Sequence, residues 1–361
     1  MSGPRHGLVL GKFHPPHAGH HLLVRTAARA CARVTVLVLA ASAETIPLGR
    51  RFAWMREVHA AEPNVVVLAG IDEHPIDYGD PRFWDAHMAV FQALLAAAGA
   101  PPVDAVFTSE AHGDELARRF AARHISVDPA RELAPVSGTA VRADPVAHWA
   151  HLAPPVRGWL ARRVVIGGAE STGKTTFARD LRDALAARGG AFAETRWVPE
   201  LGRDYTVEML ALARARAAWR AAPEPGMDAL DWRTEHFVAI ARGQNALEDA
   251  EARRGGPVLV CDTDAFATAI WHERYLGRRA PEVEALADPR PSLHLVTHAA
   301  DVSFEHDGVR DGEHLRTWMT ERFAERLRAT PHRVAFVRGG REARVRQALS
   351  LLDEWLKTWR I

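Results

Sequence analysis

From Arg163 to Leu181 the chain reads R-V-V-I-G-G-A-E-S-T-G-K-T-T-F-A-R-D-L. A β-branched run gives way to glycines, then to a lysine and two threonines, then to an amphipathic segment. Gly168 to Thr175, G-A-E-S-T-G-K-T, fits the spacing G-x-x-x-x-G-K-[ST]. The pattern predicts a strand, a phosphate-cradling loop and a helix opening at Lys174. Gly168 and Gly173 permit a backbone nest whose N–H groups face anionic oxygens. The helix N-terminus adds positive potential. Lys174 supplies a point charge for the β- and γ-phosphates of ATP or GTP, and Thr175 a hydroxyl for Mg²⁺. Glu170, Ser171, Thr172 and Thr176 complete the expected ATP-binding loop.

Further along, the apolar run V-L-V-C ends in Asp262-Thr263-Asp264. A carboxylate at a strand end suits the holding of Mg²⁺, so Asp262 joins Thr175 as an expected metal ligand. Asp264 reads equally as a substrate contact or a helix N-cap. T-R-W-V-P-E-L-G-R-D-Y offers Glu200 to accept a hydroxyl proton, with Arg203 and Tyr205 beside it for the substrate. E-H-D-G-V-R-D-G-E-H-L-R, a glycine-punctuated charged loop, brings Arg310 and Arg316 as arginines that close over phosphates. Ala211 to Ala222 reads as a solvated helix or a lid.

The first half carries the same alternation. Strands are expected at Gly7–Leu10, Val34–Ala41, Asn64–Gly70 and Ala105–Ser109. Helical stretches separate them at His20–Arg33, Arg51–Ala61 and Phe83–Ala98. That rhythm predicts a parallel sheet covered by helices, with ligands at the carboxyl ends of its strands. Pro154 and Pro155 interrupt a weakly helical stretch. They place a boundary between one domain over residues 1–155 and a second over 156–361.

Between the first strand and the first helix stands G-K-F-H-P-P-H-A-G-H-H (Gly11–His21). His17 and His20 are three apart, with no cysteine or carboxylate cluster nearby, a poor zinc set. An anion cradle fits better. Gly19 lets a phosphate approach, Gly11 and Phe13 shape the turn, Lys12 adds charge, and the two imidazoles donate to oxygens that gain charge. A partner stretch, V-S-G-T-A-V-R, sets Ser137, Thr139 and Arg142 at another expected helix start. Trp54 and Trp84, with Tyr205, are candidate stacking surfaces for an aromatic ring.

Of 361 residues, 47% are hydrophobic and 25% charged, enough for ordinary cores and against wholesale disorder. Lys plus Arg number 46 against 45 Asp plus Glu, so no broad footprint for nucleic acid exists. The two cysteines, Cys31 and Cys261, sit in apolar settings and fit a reducing compartment. No apolar run approaches a membrane span. The expectation is a cytoplasmic protein with small-molecule partners, no nucleic acid and no membrane insertion; a homo-oligomer is left open.

The combination G-K-F-H-P-P-H-A-G-H with V-S-G-T-A-V-R resembles the nucleotidylyltransferase superfamily and its H-x-G-H and I-S-[ST]-T-x-x-R motifs. Joined to G-G-A-E-S-T-G-K-T-T, V-P-E-L-G-R-D-Y, D-T-D and D-G-V-R-D, it looks like the bifunctional NadR family. I-P-L-G-R-R-F-A-W-M-R-E-V and V-F-T-S-E also look like segments of that family. The resemblance implies a Rossmann-like adenylyltransferase domain followed by a P-loop ribosylnicotinamide kinase. It implies catalytic roles for Lys12, His17, His20, Arg142, Lys174 and Asp262, with Glu200 or Asp262 as the kinase base. ATP would be co-substrate, Mg²⁺ the cofactor, and nicotinamide riboside, nicotinamide mononucleotide and NAD the other ligands. Retention of only one activity, or a non-catalytic NAD or ATP sensor, are the alternatives. Two departures stand out. Gly138 occupies a position where the motif has a hydroxyl. The first strand opens within about ten residues of Met1, where a helix-turn-helix does not fit, so DNA binding by that route is not expected.

Overall fold

The computed structural model describes residues 3–77, 79–305, 310 and 312–361. Asp307, Gly308, Val309 and Asp311 of the D-G-V-R-D stretch lie outside the described residues. The chain divides into one unit of Met1–Val156 with Trp359–Ile361 and another of Arg157–Thr358.

The first unit runs β1 (His6–Gly11), α1 (Ala18–Ala30), β2 (Arg33–Ala40), α2 (Leu48–Val58), β3 (Val65–Ile71), α3 (Pro81–Ala97), β4 (Ala105–Thr108), α4 (Gly113–Arg119), β5 (Arg123–Ser126) and α5 (Gly138–Ala143). Its sheet is parallel in the order β3-β2-β1-β4-β5. Successive residues of β1 point to opposite faces. Val9 packs toward Leu23, Val24 and Ala27 of α1, and Leu8 toward Trp84, Met88 and Phe91 of α3. Connections run outward from β1 to β3, then cross to β4. The carboxyl ends of β1 and β4 therefore flank the reversal point, where such sheets open a crevice.

Next comes α6 (Pro154–Leu160). The proline pair expected to interrupt a helix instead opens one, because the N–H groups that prolines lack have no partner in a first turn anyway.

The second unit follows as β6 (Arg162–Gly167), α7 (Lys174–Ala186), β7 (Arg196–Val198), α8 (Leu201–Trp219), α9 (Thr234–Arg254), β8 (Val258–Asp262), α10 (Ala265–Leu276), α11 (Pro281–Glu284), β9 (Leu293–Thr297), α12 (Arg316–Leu327), β10 (Arg333–Val337) and α13 (Arg341–Lys357). Its parallel sheet has the order β10-β9-β6-β8-β7. Val164 and Ile166 of β6 pack with Phe177 and Leu181 of α7 and Leu352 of α13. Val296 of β9 meets Phe323 and Leu327 of α12 on the other face. Central β6 runs directly into the phosphate-type loop. Residues 211–219 are the end of α8.

Candidate active sites

In the first unit, H-x-G-H occupies the first turn of α1. His17 is the N-cap, and its backbone N–H donates to Nδ1 of His20 at 3.3 Å. The two rings lie 3.8 Å apart between centroids. Burial, then the Arg131 charge, lowers the His17 pKa to about 4. Burial and neighbouring His17 push His20 well down. Both imidazoles are neutral near pH 7, and buried Nδ1 of His17 has no hydrogen-bond partner among the described residues. A Cβ on Gly19 would stand 3.2 Å from the His17 ring.

The second motif reaches the first directly. Ser137 caps α5 by accepting from the Ala140 N–H at 3.1 Å. Arg142 donates to the His14 carbonyl at 2.7 Å and to Thr139 Oγ1 at 3.1 Å. Gly138 now has a reason, since a Cβ there would lie 3.2 Å from Arg142 Nη1 and 3.3 Å from the His14 oxygen. Lys12, half exposed, pairs with Glu44 at 2.7 Å. Glu44 in turn pairs at 2.6 Å with Arg51, which is 0% exposed and donates to the carbonyls of Ile46 and Lys12. Arg51 and Glu44 were not singled out in the sequence. Arg51 lay unremarked within the I-P-L-G-R-R-F segment as an arginine inside a core-forming helix, and Glu44 lies before that helix.

In the second unit a cavity of about 620 Å³ opens at the carboxyl end of β6. Its loop is shaped as the spacing predicts. Gly168 has φ 133° and Gly173 φ 79°, and even Ser171 sits at φ 50°. A Cβ on Gly168 would come 2.5 Å from Thr297 Oγ1. Thr172 Oγ1 lies 2.7 Å from the same hydroxyl. Lys174 donates to the Ala169 carbonyl at 2.9 Å, within its own loop. Thr175 donates to Asp262 Oδ2 at 2.5 Å. Asp262 Oδ1 is buried without a hydrogen-bond partner among the described residues, and burial raises the carboxyl's pKa. A hydroxyl beside an unsatisfied carboxylate oxygen is a donor set that fits Mg²⁺. Thr263, next in the chain, is held at φ 84°, an uncommon conformation for a β-branched residue.

Glu200 lines the cavity at the start of α8. Burial chiefly, with the Asp262 charge, raises its pKa to about 7 against the opposing pull of Lys174. Gln244, fully buried, accepts from the Leu201 N–H at 3.0 Å and so fixes that helix start. Arg203, Thr176 and Arg310 also line the cavity, and Arg310 pairs with Glu305 at 2.5 Å. The aromatic wall, Trp232, Phe237, Trp271 and Tyr275, was missed in the sequence because these residues are scattered over α10, α9 and the approach to α9.

Several expectations need correction. Trp54 and Trp84 are 3% and 5% exposed, so neither offers a ring face to a ligand; both are core side chains. Asp264 takes its helix-cap alternative, accepting from the Ala267 N–H at 2.8 Å. Tyr205 packs near His236 and does not line the cavity. Arg316 opens α12 and donates to the carbonyls of Ser171, Ala299 and Val302 at 3.0, 2.8 and 2.7 Å, a brace for loop backbone. Glu170 lines the cavity with the rest of its loop, and its carboxylate accepts from Arg274 and from the Gly312 N–H.

A nucleotide-type loop on a central parallel strand, with a lysine, a threonine and an aspartate converging on it, defines a P-loop nucleotide-binding domain. Residues 163–344, just over half of the chain, match the family described as AAA domain, and the chain belongs to that family. It is homologous to the trifunctional NAD biosynthesis/regulator protein NadR of Salmonella typhimurium, with 26% identity over 78% of this chain. The Escherichia coli protein of the same name gives the same identity over 78% of this chain. The match spans 66% of the length of each relative. Among solved structures, a NadR protein in complex with NR is superimposable at TM-score 0.67, with 20% identity, over 100% of this chain and 98% of that one. A NadR protein with NAD and AMP-PNP gives TM-score 0.68 and 20% identity over 99% and 97% of the two chains. These likenesses establish the fold as two parallel α/β units of the NadR type. No described helix is long and apolar enough to cross a membrane.

Proposed function

We propose that the chain makes NAD from nicotinamide riboside in two ATP-dependent steps, one in each unit. The observation that carries this reading is the cavity of the second unit. Lys174, Thr175 and Asp262 line it together with Glu200 and the aromatic side chains Trp232, Phe237, Trp271 and Tyr275. A phosphate-holding set and aromatic side chains in one cavity suit phosphoryl transfer to an aromatic nucleoside. Nicotinamide riboside carries a positive ring, which aromatic faces attract.

In this kinase step Lys174 neutralises the β- and γ-phosphates and the loop N–H groups hold their oxygens. Thr175 and Asp262 would hold Mg²⁺, which when bound neutralises charge developing on the phosphates. Glu200, with a pKa near neutrality, accepts the 5′-hydroxyl proton as that oxygen attacks the γ-phosphorus and ADP departs. We assign the base to Glu200 and keep Asp262, beside Thr175, for the metal.

In the first unit, a 5′-phosphate oxygen of nicotinamide mononucleotide attacks the α-phosphorus of a second ATP, and pyrophosphate leaves. His17, His20 and Arg142 stabilise charge on the transferring and departing phosphates, and Lys12 exchanges Glu44 for an ATP oxygen. The role of both NadR relatives in NAD biosynthesis supports the same reading.

The test is chromatography of purified protein with ATP and Mg²⁺ plus either riboside or mononucleotide. NAD from both compounds is expected. Mononucleotide accumulating without NAD would reduce the reading to a kinase. No turnover of either would overturn it.

A further inference from the structure

Glu170 lies inside the phosphate loop, yet its carboxylate leaves that loop. Oε1 accepts from Arg274 Nη1 at 3.1 Å, and Oε2 accepts from the Gly312 N–H at 2.9 Å. Arg274 sits on α10 between two residues of the aromatic wall. Its guanidinium is 5.0 Å from the Trp271 ring centroid and 4.6 Å from that of Tyr275, and it donates to the Tyr275 hydroxyl at 3.1 Å. The Arg274 side chain is 3% exposed. Three segments therefore meet at one point: the phosphate loop, α10 and the chain at Gly312. The fit is close. A Cβ on Gly312 would stand 2.5 Å from Arg274 Nη2 and 2.8 Å from Glu170 Oε2.

A buried ion pair contributes little net stability, because desolvating both charges offsets their attraction. It does fix relative position. The peptide next to Glu170 is also the one whose hydrogen bonding must change when nucleotide arrives. Lys174 donates to the Ala169 carbonyl, and phosphate oxygens compete for that ammonium. Releasing Ala169 shifts the backbone that carries Glu170, and the pair passes the shift to Arg274 and its two rings.

We propose that Glu170 and Arg274 are positioning residues that couple the nucleotide and acceptor halves of the cavity, so that nucleotide on the phosphate loop tightens binding of the aromatic acceptor. The inference rests on the kinase reading above. Coupling is reciprocal, so acceptor must tighten nucleotide by the same factor.

The experiment is isothermal titration calorimetry of the full chain with nicotinamide riboside, with and without saturating AMP-PNP and Mg²⁺. Each protein gives a ratio of the two dissociation constants, in which its own intrinsic affinity cancels. Wild type is expected to show tightening of about five-fold or more. Glu170→Gln and Gly312→Ala, which opens the same junction without touching either ligand, are expected to bring the ratio close to one. Should Glu170→Gln misfold, Gly312→Ala carries the test. A wild-type ratio of one, or an undiminished ratio in the folded variants, overturns the coupling while leaving the kinase reading in place. Riboside that binds wild type under neither condition overturns both.

Discussion

Arg142 and His14 are 128 positions apart, and the guanidinium of one donates to the carbonyl of the other at 2.7 Å. That bond ties the loop before H-x-G-H to the helix of the second motif. Two sequence patterns thereby come together at one place, and the proposed function assigns it a step separate from that of the phosphate loop in the other unit.

The separation is testable by crossed substitution. Lys174→Ala is expected to lower formation of mononucleotide from riboside by at least about a hundred-fold while sparing adenylyl transfer; His20→Ala is expected to do the reverse. Rates with each substrate supplied alone check this. Loss of both steps in either variant would refute the division of labour.

Glu200 sets a pH expectation. As the base it must be ionised, and its pKa is raised to about 7, chiefly by burial. The kinase rate should therefore fall as pH drops through 7. Glu200→Gln should reduce kcat by about a hundred-fold and leave the residual rate without that acidic limb. A limb that persists unchanged in the variant would assign it to another group.

Arg51 gives a stability expectation. It is wholly buried, with Glu44 and the carbonyls of Ile46 and Lys12 as partners. Arg51→Met strands those acceptors, and should destabilise the first unit by about 3–5 kcal/mol. Urea unfolding measures it, and a change below about 1 kcal/mol would show that the partners find water or one another instead.

The histidines make the first unit acid-sensitive. Burial lowers His14 and His17 to about 4 and His21 to about 3, from an ordinary 6.5. The unfolded chain thus binds more protons between those values. Stability is complete above about 6.5 and is lost as pH falls toward 4. Calorimetry should find a lower melting midpoint at pH 5 than at pH 7; equal midpoints would count against it.

Much of this was legible because phosphate loops depend on local rules. Gly168, Gly173, Lys174 and Thr175 must be close in sequence to form a nest at a helix start, so their spacing shows. The same holds for His17, Gly19 and His20. What escaped notice is assembled over distance. Trp232, Trp271 and Tyr275 converge only through the packing of α9 and α10, and an aromatic side chain reads alike in a core and in a cavity. Trp54 and Trp84 show the converse error. β5 was missed because R-H-I-S at a sheet edge has no apolar run to betray it.

The last three residues belong with the first unit. Trp359, 3% exposed, packs 6.2 Å from Trp149 between ring centroids, and the Ile361 N–H donates to the Arg142 carbonyl at 3.2 Å. On the ribosome this inverts the usual order. The unit synthesised first stays unfinished until residue 361 clears the exit tunnel, by which time the whole of the later unit has already emerged. A premature stop just short of Trp359 would spare the unit in which it falls, and would be felt at the arginine of the earlier one.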